Sequence, residues 1–212
     1  MPSLSVGVLL LSTAAVVAVA GCGNARKGGA PTTTALATTT SPKATTTSSP
    51  SGPGALQAEA NATAAGDIPD NQVFLVFTDR AAAFSMKYPE GWAQQGAGDR
   101  VTFRDKNNVV RIVVGPGSAP TAASVRADVA HLAGARSDGA PVAMTIAGRP
   151  AVKATYSTLS PPNAVTGKRV TLVVDRYYLW RGGRRAVVDL GTPQGVDNVD
   201  AYRLMIESFR WS

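Results

Sequence analysis

Cysteine and histidine are almost absent from this sequence of 212 residues, which contains one of each, Cys22 and His131. A lone thiol cannot form a disulfide within the chain, so the fold depends on its apolar core. It also excludes paired-cysteine zinc sites. A Ser-His-Asp arrangement would have to use His131, which helical periodicity places off the apolar face of a predicted helix. We therefore interpret His131 as a surface residue.

Other signs of catalytic chemistry are lacking as well. The sequence has no glycine-rich phosphate loop and no His-Glu-x-x-His motif. Two acidic residues that are close in sequence, Asp197 and Asp200, are explained by the start of a helix, where carboxylates cap backbone N–H groups and interact favourably with the helix dipole. We predict no catalytic residues, no metal site and no cofactor, and we expect the protein not to be an enzyme.

The positive charge is modest and dispersed. Lysine and arginine number 21 against 14 aspartates and glutamates, so the formal net charge is +7. A surplus of this size favours the approach of an anionic membrane surface or an acidic partner. It is too scattered along the chain to indicate a nucleic-acid partner, and we predict none.

The longest apolar run spans residues 6–20 and is interrupted only by Ser12 and Thr13. It has the length of a signal-peptide core and is shorter than the roughly 20 residues that a membrane-spanning helix needs. The run ends at Val19-Ala20-Gly21-Cys22, which resembles the bacterial lipoprotein box, in which the cysteine sulfur is lipidated and becomes the new N-terminus. This resemblance implies a signal peptide over residues 1–21 and a lipid anchor on Cys22. The alternative is an ordinary secretory signal with an incidental cysteine.

Residues 23–66 are predicted to form a disordered tether behind the lipidated Cys22. Threonine triplets alternate with prolines, and almost no bulky apolar residue is available to offset the entropy of ordering. A flexible coil of this length would have a root-mean-square span of about 35–40 Å. O-glycosylation of the threonines is a further hypothesis, and a plain spacer is the simpler interpretation.

Residues 67–212 are predicted to form one domain containing both strands and helices. Alternating and β-branched patterns predict strands, and three- and four-residue spacings of apolar residues predict two helices. The predicted strands are 73–77, 84–88, 101–104, 109–114, 142–146 and 151–157, followed by a hairpin over 170–190. The first predicted helix is 122–133, and its apolar face consists of Ala122, Val125, Val129 and Leu132. The last predicted helix begins near Asp197 or Asn198, and its apolar face consists of Val199, Tyr202, Ile206 and Phe209.

The hairpin over 170–190 has the clearest local geometry. Gly182-Gly183 can adopt the positive φ angles of a two-residue turn, and this turn sets the register of the two strands. Three facing pairs then share one face of the ribbon: an aromatic–aliphatic pair, a cation–π pair and an ion pair. These pairs are Tyr178 with Val187, Trp180 with Arg185, and Arg176 with Asp189.

Three motifs of the domain are similar to motifs of the PsbP-like family. They are Phe84-Ser85-Met86-Lys87-Tyr88-Pro89-Glu90-Gly91-Trp92, Ala147-Gly148-Arg149-Pro150-Ala151 followed by Tyr156, and Met205-Ile206-Glu207-Ser208-Phe209-Arg210-Trp211. The family includes photosystem extrinsic subunits, a Ran-binding nuclear-import factor and many actinobacterial envelope lipoproteins. The resemblance implies an α+β fold with a central antiparallel β-sheet flanked by helices on both faces. It also implies binding as a docking or accessory subunit rather than catalysis.

The tip of the hairpin is the first candidate contact site. Arg181, Arg184 and Arg185 lie beside Trp180 and could together hold a phosphate, a lipid head group or an acidic patch of a partner. The simpler interpretation is a solvated tip whose charge prevents edge-to-edge pairing. A second candidate is a cleft between the sheet and the irregular loop 160–168.

These features predict a lipoprotein held at the outer face of the cytoplasmic membrane. We expect a non-catalytic accessory or docking module for an envelope protein complex, for example a transporter, whose identity the sequence does not reveal. The alternative is a carrier of a small apolar or lipid ligand, which would need a cavity of a few hundred Å³. A hydrolase acting on envelope polymers is a third and more distant alternative.

Overall fold

A computed structural model of the chain describes residues 65–163 and 165–212, together with Gly54, Gln57, Ala58, Asn61 and Ala62. The predicted signal peptide over residues 1–21, the predicted lipidation site at Cys22 and most of the predicted tether lie outside these residues. Within the described part of the chain, no helix is both long enough and apolar enough to cross a membrane.

The described end of the predicted tether has helical backbone, where the sequence predicted no regular structure. The helical residues are Gly54, Gln57, Ala58, Asn61, Ala62 and Ala65. Their region is rich in alanine, which is the strongest helix former although it is not a bulky apolar residue. Gly66 is buried, and its carbonyl accepts hydrogen bonds from the side-chain amides of Asn108 and Asn198.

Ten strands and two helices follow Gly66 in the described residues, and every strand pair is antiparallel. The elements are β1 (Phe74–Asp79), β2 (Phe84–Pro89), β3 (Ala93–Ala97), β4 (Arg100–Asp105), β5 (Asn108–Pro116), α1 (Ala122–Ala130), β6 (Arg136–Ile146), β7 (Arg149–Leu159), β8 (Thr171–Arg181), β9 (Arg184–Pro193), α2 (Val199–Glu207) and β10 (Arg210–Trp211). The sequence did not predict β3 and β10. They are a short polar strand and a two-residue strand, and neither carries a clear alternating pattern.

The strands form two sheets. One has three strands in the order β1-β2-β10, and the other has seven in the order β3-β4-β5-β9-β8-β7-β6. The hairpin register predicted from Gly182-Gly183 is confirmed, because Tyr178 faces Val187, Trp180 faces Arg185 and Arg176 faces Asp189. Both glycines have positive φ angles, as a two-residue hairpin turn requires.

Two apolar clusters lie against the seven-stranded sheet. Along β8, Tyr177 and Leu179 belong to the first cluster and Val174 and Tyr178 to the second, because successive side chains of a strand point to opposite faces. The second cluster includes Val125 and Val129 of α1, as predicted; the first includes Tyr202, Met205 and Ile206 of α2. The antiparallel sheets with two helices agree with the predicted α+β class, whereas helices on both faces in the PsbP-like manner stay a prediction.

Three predicted details are wrong. Ala122 is exposed at the start of α1, although helical spacing placed it on the apolar face of that helix. Val199 is 61% exposed, although helical spacing placed it on the apolar face of α2; it is the first residue of this helix and precedes the buried ones. No cation–π contact joins Trp180 and Arg185 among the described residues; the Arg185 guanidinium lies over the Tyr178 ring instead, 5.7 Å from its centroid.

Asn198 begins α2 without capping it. Its amide is buried and accepts from the backbone N–H of Ile68 at 2.8 Å, while its Nδ2 donates to Thr192 Oγ1 at 2.7 Å. The capping contact comes from Asp197, whose Oδ1 accepts the N–H of Val199 at 3.2 Å. The start of α2 is thereby tied to the segment where the chain enters the domain.

Asp79 joins the end of β1 to two turns. Its Oδ1 accepts the backbone N–H of Ala82 at 2.8 Å, and its Oδ2 accepts that of Gly98 in the turn between β3 and β4. These hydrogen bonds stabilise the charged form and lower the pKa of the Asp79 carboxyl below its usual range.

We expect Asp79→Asn to destabilise the domain at neutral pH and to have little effect in acid. A carboxyl whose pKa is lower in the folded state contributes stability above its unfolded pKa of about 3.9, and this contribution is lost as the pH falls through the lower folded value. Urea unfolding of the wild type and the variant at pH 7 and in the acid range measures the difference. A gap between the two proteins that is independent of pH would contradict the prediction.

Candidate functional site

The four hairpin-tip residues predicted from the sequence do not converge on one point. Trp180 and Arg185 face each other on the side of α1, where Trp180 Nε1 donates to the Gly117 carbonyl at 2.9 Å. Arg185 Nη1 lies 3.3 Å from Asp128 Oδ2 of α1. Arg185 is therefore engaged within the domain.

The other two tip arginines bind the chain on the opposite side of the ribbon. Arg184 Nη2 donates to the Ala82 carbonyl at 2.8 Å, and its guanidinium lies 5.8 Å from the centroid of the Trp211 ring. Arg181 Nη1 donates to Ser212 O at 3.1 Å. The three guanidiniums thus serve two separate faces, and each one contacts its own chain.

The edge strand β1 presents a different candidate surface. Val73, Leu75 and Val76 are 56%, 39% and 61% exposed along this strand or directly before it. β1 pairs with β2 over six consecutive positions without a bulge, and no described residue pairs with its other edge. Its only charged side chain, Asp79, is turned inward. As far as the described residues extend, this edge is apolar, regular and open.

A groove continues from β1 onto α2. It is lined by Val76 and by Leu204, which is 39% exposed, with charged residues of both signs around them. The charged residues are Lys87, Asp200, Arg203, Glu207 and Arg210. An apolar centre with a charged rim is the usual composition of a protein-binding surface.

The described part of the seven-stranded sheet has several concave sites, and two of them are the α2 cleft and the α1 cleft. The first, the α2 cleft, has a volume of about 450 Å³ and is lined by α2 and by strands β6 to β9. Its apolar wall comes mainly from Met144, Ile146, Tyr177, Leu190, Tyr202 and Ile206. A volume of this size is within the range of small-molecule sites.

The polar side of the α2 cleft is centred on Asp175. Its Oδ2 lies 3.1 Å from Lys153 Nζ, and its Oδ1 accepts from Thr155 Oγ1 at 2.7 Å. The Tyr177 hydroxyl donates to Oδ2 at 3.4 Å. The carboxylate is therefore held by three neighbours, and the cleft combines an apolar wall with a fixed polar group.

The second concave site, the α1 cleft, has a volume of about 300 Å³ and reaches the irregular loop through Pro161. It corresponds to the second candidate predicted from the sequence, a cleft between the sheet and loop 160–168. Arg104, Arg111, Tyr156 and Asp189 line it together with apolar residues that follow α1 and lie on the sheet.

The titratable groups near these sites with shifted pKa values are four phenols and Arg111, and all five pKa values move away from neutrality. Burial raises the pKa of Tyr178 to about 12. Burial also raises the pKa of Tyr156, Tyr177 and Tyr202, and nearby carboxylates act in the same direction. These hydroxyls remain protonated donors at physiological pH, and Tyr202 donates to the Gly191 carbonyl at 2.7 Å.

His131 and the acidic residues do not assemble into a reactive group within the described residues. His131 ends α1 at the surface, as predicted, with Nδ1 2.7 Å from the Ala127 carbonyl oxygen. No cluster of three or more histidine, cysteine, aspartate or glutamate side chains that could hold a metal ion occurs in the described part of the chain.

No family model and no curated protein matches the chain. Similar solved structures include cyanobacterial PsbP from Synechocystis sp. PCC 6803, with 15% identity, a TM-score of 0.49 and coverage of 69% of this chain and 98% of that chain. A Bacteroides thetaiotaomicron VPI-5482 protein shows 16% identity and a TM-score of 0.44; the similarity covers 65% of this chain and 48% of that chain, so this chain spans about half its length.

A third similar structure is LpqN, described as involved in cell envelope biogenesis of Mycobacterium tuberculosis. It shows 17% identity and a TM-score of 0.35, with coverage of 66% of this chain and 84% of that chain. The neighbours thus include a PsbP protein and a mycobacterial envelope protein. At these identities and TM-scores they transfer no partner, ligand or activity to this chain, and membership of the PsbP-like family stays a prediction.

Proposed function

We propose that this protein is a lipid-anchored, extracytoplasmic accessory module that docks on an envelope protein without catalysing a reaction. The observation that carries the proposal is the open apolar edge of β1. Soluble proteins usually protect such edges with lysine, proline, a bulge or a covering segment, because an open edge invites pairing with another chain.

Within the described residues, the two edges of the seven-stranded sheet have protection that β1 lacks. β6 has a register shift between Asp138 and Val142, with Pro141 inside it, and β3 is a five-residue strand of small and polar residues. β1 has six regular positions, Phe74 to Asp79, and exposed apolar side chains. The occupant we propose is an extended segment of an envelope protein that adds a strand to β1, with main-chain hydrogen bonds supplying affinity and the groove at Val76 and Leu204 supplying specificity.

The pKa values of the titratable groups support a role without catalysis. The phenols with raised pKa values stay neutral, and the Asp79 carboxyl is held ionised by backbone N–H groups. A general acid or base works best with a pKa near the working pH, and these shifts lead away from it.

We expect Val76→Glu to reduce capture of the docking partner at least about fivefold, because a buried strand interface would have to desolvate the new carboxylate. Val142→Glu is the matched control: it makes the same change on the edge strand β6, where Val142 is 57% exposed, against 61% for Val76. Amine-reactive crosslinking in intact cells, followed by quantitative mass spectrometry, compares both variants with the wild type. Equal recovery of the same envelope protein from both variants would argue against docking at β1.

A carrier of a small apolar or lipid ligand remains the alternative. The α2 cleft favours it, because an apolar wall beside the Lys153–Asp175 pair suits an amphiphile. Crosslinking that recovers phospholipid and no protein partner would replace docking by carriage. Native mass spectrometry of the protein purified from membranes would then identify the bound species.

A further inference from the structure

The α1 cleft contains more positive than negative charge, and its charged side chains come from one row across the sheet. In neighbouring strands β4, β5, β9 and β8, Thr102 pairs with Arg111, Arg111 with Asp189, and Asp189 with Arg176. Paired residues project from the same face of a sheet. Arg104 lies two residues beyond Thr102 on β4, on that same face, and lines the cleft with Arg111.

Asp189 is shared by two guanidiniums. Its Oδ2 accepts from Arg111 Nε at 3.0 Å and Nη2 at 2.7 Å, and its Oδ1 lies 3.3 Å from Arg176 Nε. The Asp189 side chain is 3% exposed and that of Arg176 is 12% exposed. One carboxylate therefore balances only one of the two cations, and Arg104 adds another positive charge at the cleft.

The unbalanced charge lies where water is largely excluded. Arg176 Nη1 is fully shielded and has no hydrogen-bond partner among the described residues, and the same holds for the Tyr178 hydroxyl. Burial alone would lower the pKa of Arg111, but the attraction and hydrogen bonds of Asp189, together with Tyr156, raise it overall, so this cation persists at every physiological pH. Fixed cations in a cleft with low-dielectric walls concentrate anions.

We propose that the α1 cleft binds the phosphate group of an organic phosphate, with Arg104 and Arg111 as its direct contacts. A phosphate has enough acceptor oxygens for the guanidinium fork of Arg104 and for the N–H groups of Arg111 that do not point at Asp189, whereas a carboxylate is saturated by fewer donors. Arg104 makes no hydrogen bond or ion pair with any described residue, and Arg111 is 45% exposed, so both can reach an anion. Asp189 holds Arg111 in position through its Oδ2, while its Oδ1 faces Arg176.

The neutral part of the cleft selects what the phosphate is attached to. Its walls include Val109, Leu132, Ala135, Leu172 and Val174. A volume of about 300 Å³ holds a phosphate with a short apolar group and little more. The source is either the head-group region of an anionic phospholipid or a soluble phosphate monoester, and the two share this chemistry. The site is separate from β1, so its test is independent of the docking proposal.

Calorimetric titration of the full-length protein, purified in a non-ionic detergent, tests the site with butyl phosphate as the probe. We expect saturable binding that Arg104→Gln weakens at least about tenfold, the effect of losing one charge-assisted contact. Arg100→Gln is the matched control, because Arg100 is an exposed arginine on the same face of β4 but does not line the cleft. We expect it to change the affinity less than about twofold, since it removes only long-range attraction.

Further probes define the ligand and can overturn the proposal. Inorganic phosphate should bind more weakly than butyl phosphate, because it leaves the apolar walls unused. Dihexanoyl phosphatidylglycerol binding that Arg104→Gln abolishes, with no binding of dihexanoyl phosphatidylcholine, supports the lipid source; binding of butyl phosphate alone supports the soluble source. No saturable binding of any phosphate, equal losses in Arg104→Gln and Arg100→Gln, or pentanoate binding as tightly as butyl phosphate would each refute the assignment.

Discussion

Replacing Cys22 by serine should abolish lipid attachment and leave residues 1–21 on the chain. In the lipoprotein box that Val19-Ala20-Gly21-Cys22 resembles, the sulfur is the acylated atom, and removal of the signal peptide makes this residue the N-terminus. A serine hydroxyl is a much weaker nucleophile than a thiolate, so acylation is not expected to proceed. Removal of residues 1–21 is expected to fail as well, because the altered sequence no longer contains the cysteine of the lipoprotein box. Labelling cells with a palmitate analogue and measuring the intact mass of the protein should show no label and a heavier, unprocessed chain.

A second variant distinguishes specific lipid attachment at the lipoprotein box from non-specific acylation of any exposed thiol. Cys22→Ser combined with Ser41→Cys keeps one thiol per chain but moves it into the predicted tether. This double variant should also remain unlabelled. Label on the double variant, or an unlabelled wild-type chain that begins at a residue other than Cys22, would contradict the anchor and favour an ordinary secretory signal. Stable anchoring needs more than one acyl chain, so the mass should reveal several.

The part of the domain that could be predicted from the sequence is the part governed by local geometry. The β8–β9 register followed from Gly182-Gly183, because a two-residue turn leaves no freedom in the pairing of the strands. The Arg176–Asp189 ion pair followed from that register and is confirmed at 3.3 Å. The core face of α1 followed similarly from the four-residue spacing of Val125 and Val129.

Long-range neighbours could not be predicted in this way. Arg111 contacts Asp189 across 78 residues of sequence, because β5 pairs with β9, and no local pattern indicates this pairing. The separation of β1 and β2 into a small sheet with β10 is another non-local choice. The open edge of β1 and the cationic α1 cleft both depend on these pairings, so the sequence could not reveal either site.

The separation of the arginines at the hairpin tip could have been predicted from the sequence. Arg184 and Arg185 are consecutive residues of β9, and consecutive side chains of a strand point to opposite faces. Applied to the tip, this rule separates Arg185 from Arg184 and opposes a single grip by three guanidiniums. The structure shows that separation: Arg185 contacts Asp128, and Arg184 contacts Ala82. A contact with an external partner at the tip stays a prediction.

Among the changes considered, the largest effect on stability is expected at Asp189, which lies between Arg111 and Arg176 in the row across the sheet. We expect Asp189→Asn to lower the free energy of unfolding by about 3–5 kcal/mol, because breaking a buried ion pair leaves an uncompensated charge in the interior. Here the loss affects two cations, since Asp189 holds both Arg111 and Arg176. Asparagine preserves the size of the side chain, so packing changes little. Urea unfolding followed by tryptophan fluorescence measures the difference.

Asp175→Asn on the neighbouring strand is the matched control for this change. Asp175 pairs with a single cation, Lys153, and the two side chains are about one-third exposed, Asp175 at 30% and Lys153 at 32%. An exposed pair contributes about 0–1 kcal/mol, so this variant should remain close to the wild type. Asp189→Leu combined with Arg176→Met should recover much of the loss, because it removes the stranded cation and Arg111 can turn to solvent. A cost below about 1 kcal/mol for Asp189→Asn would mean that water already reaches the row, and the cationic α1 cleft would then lose its electrostatic basis.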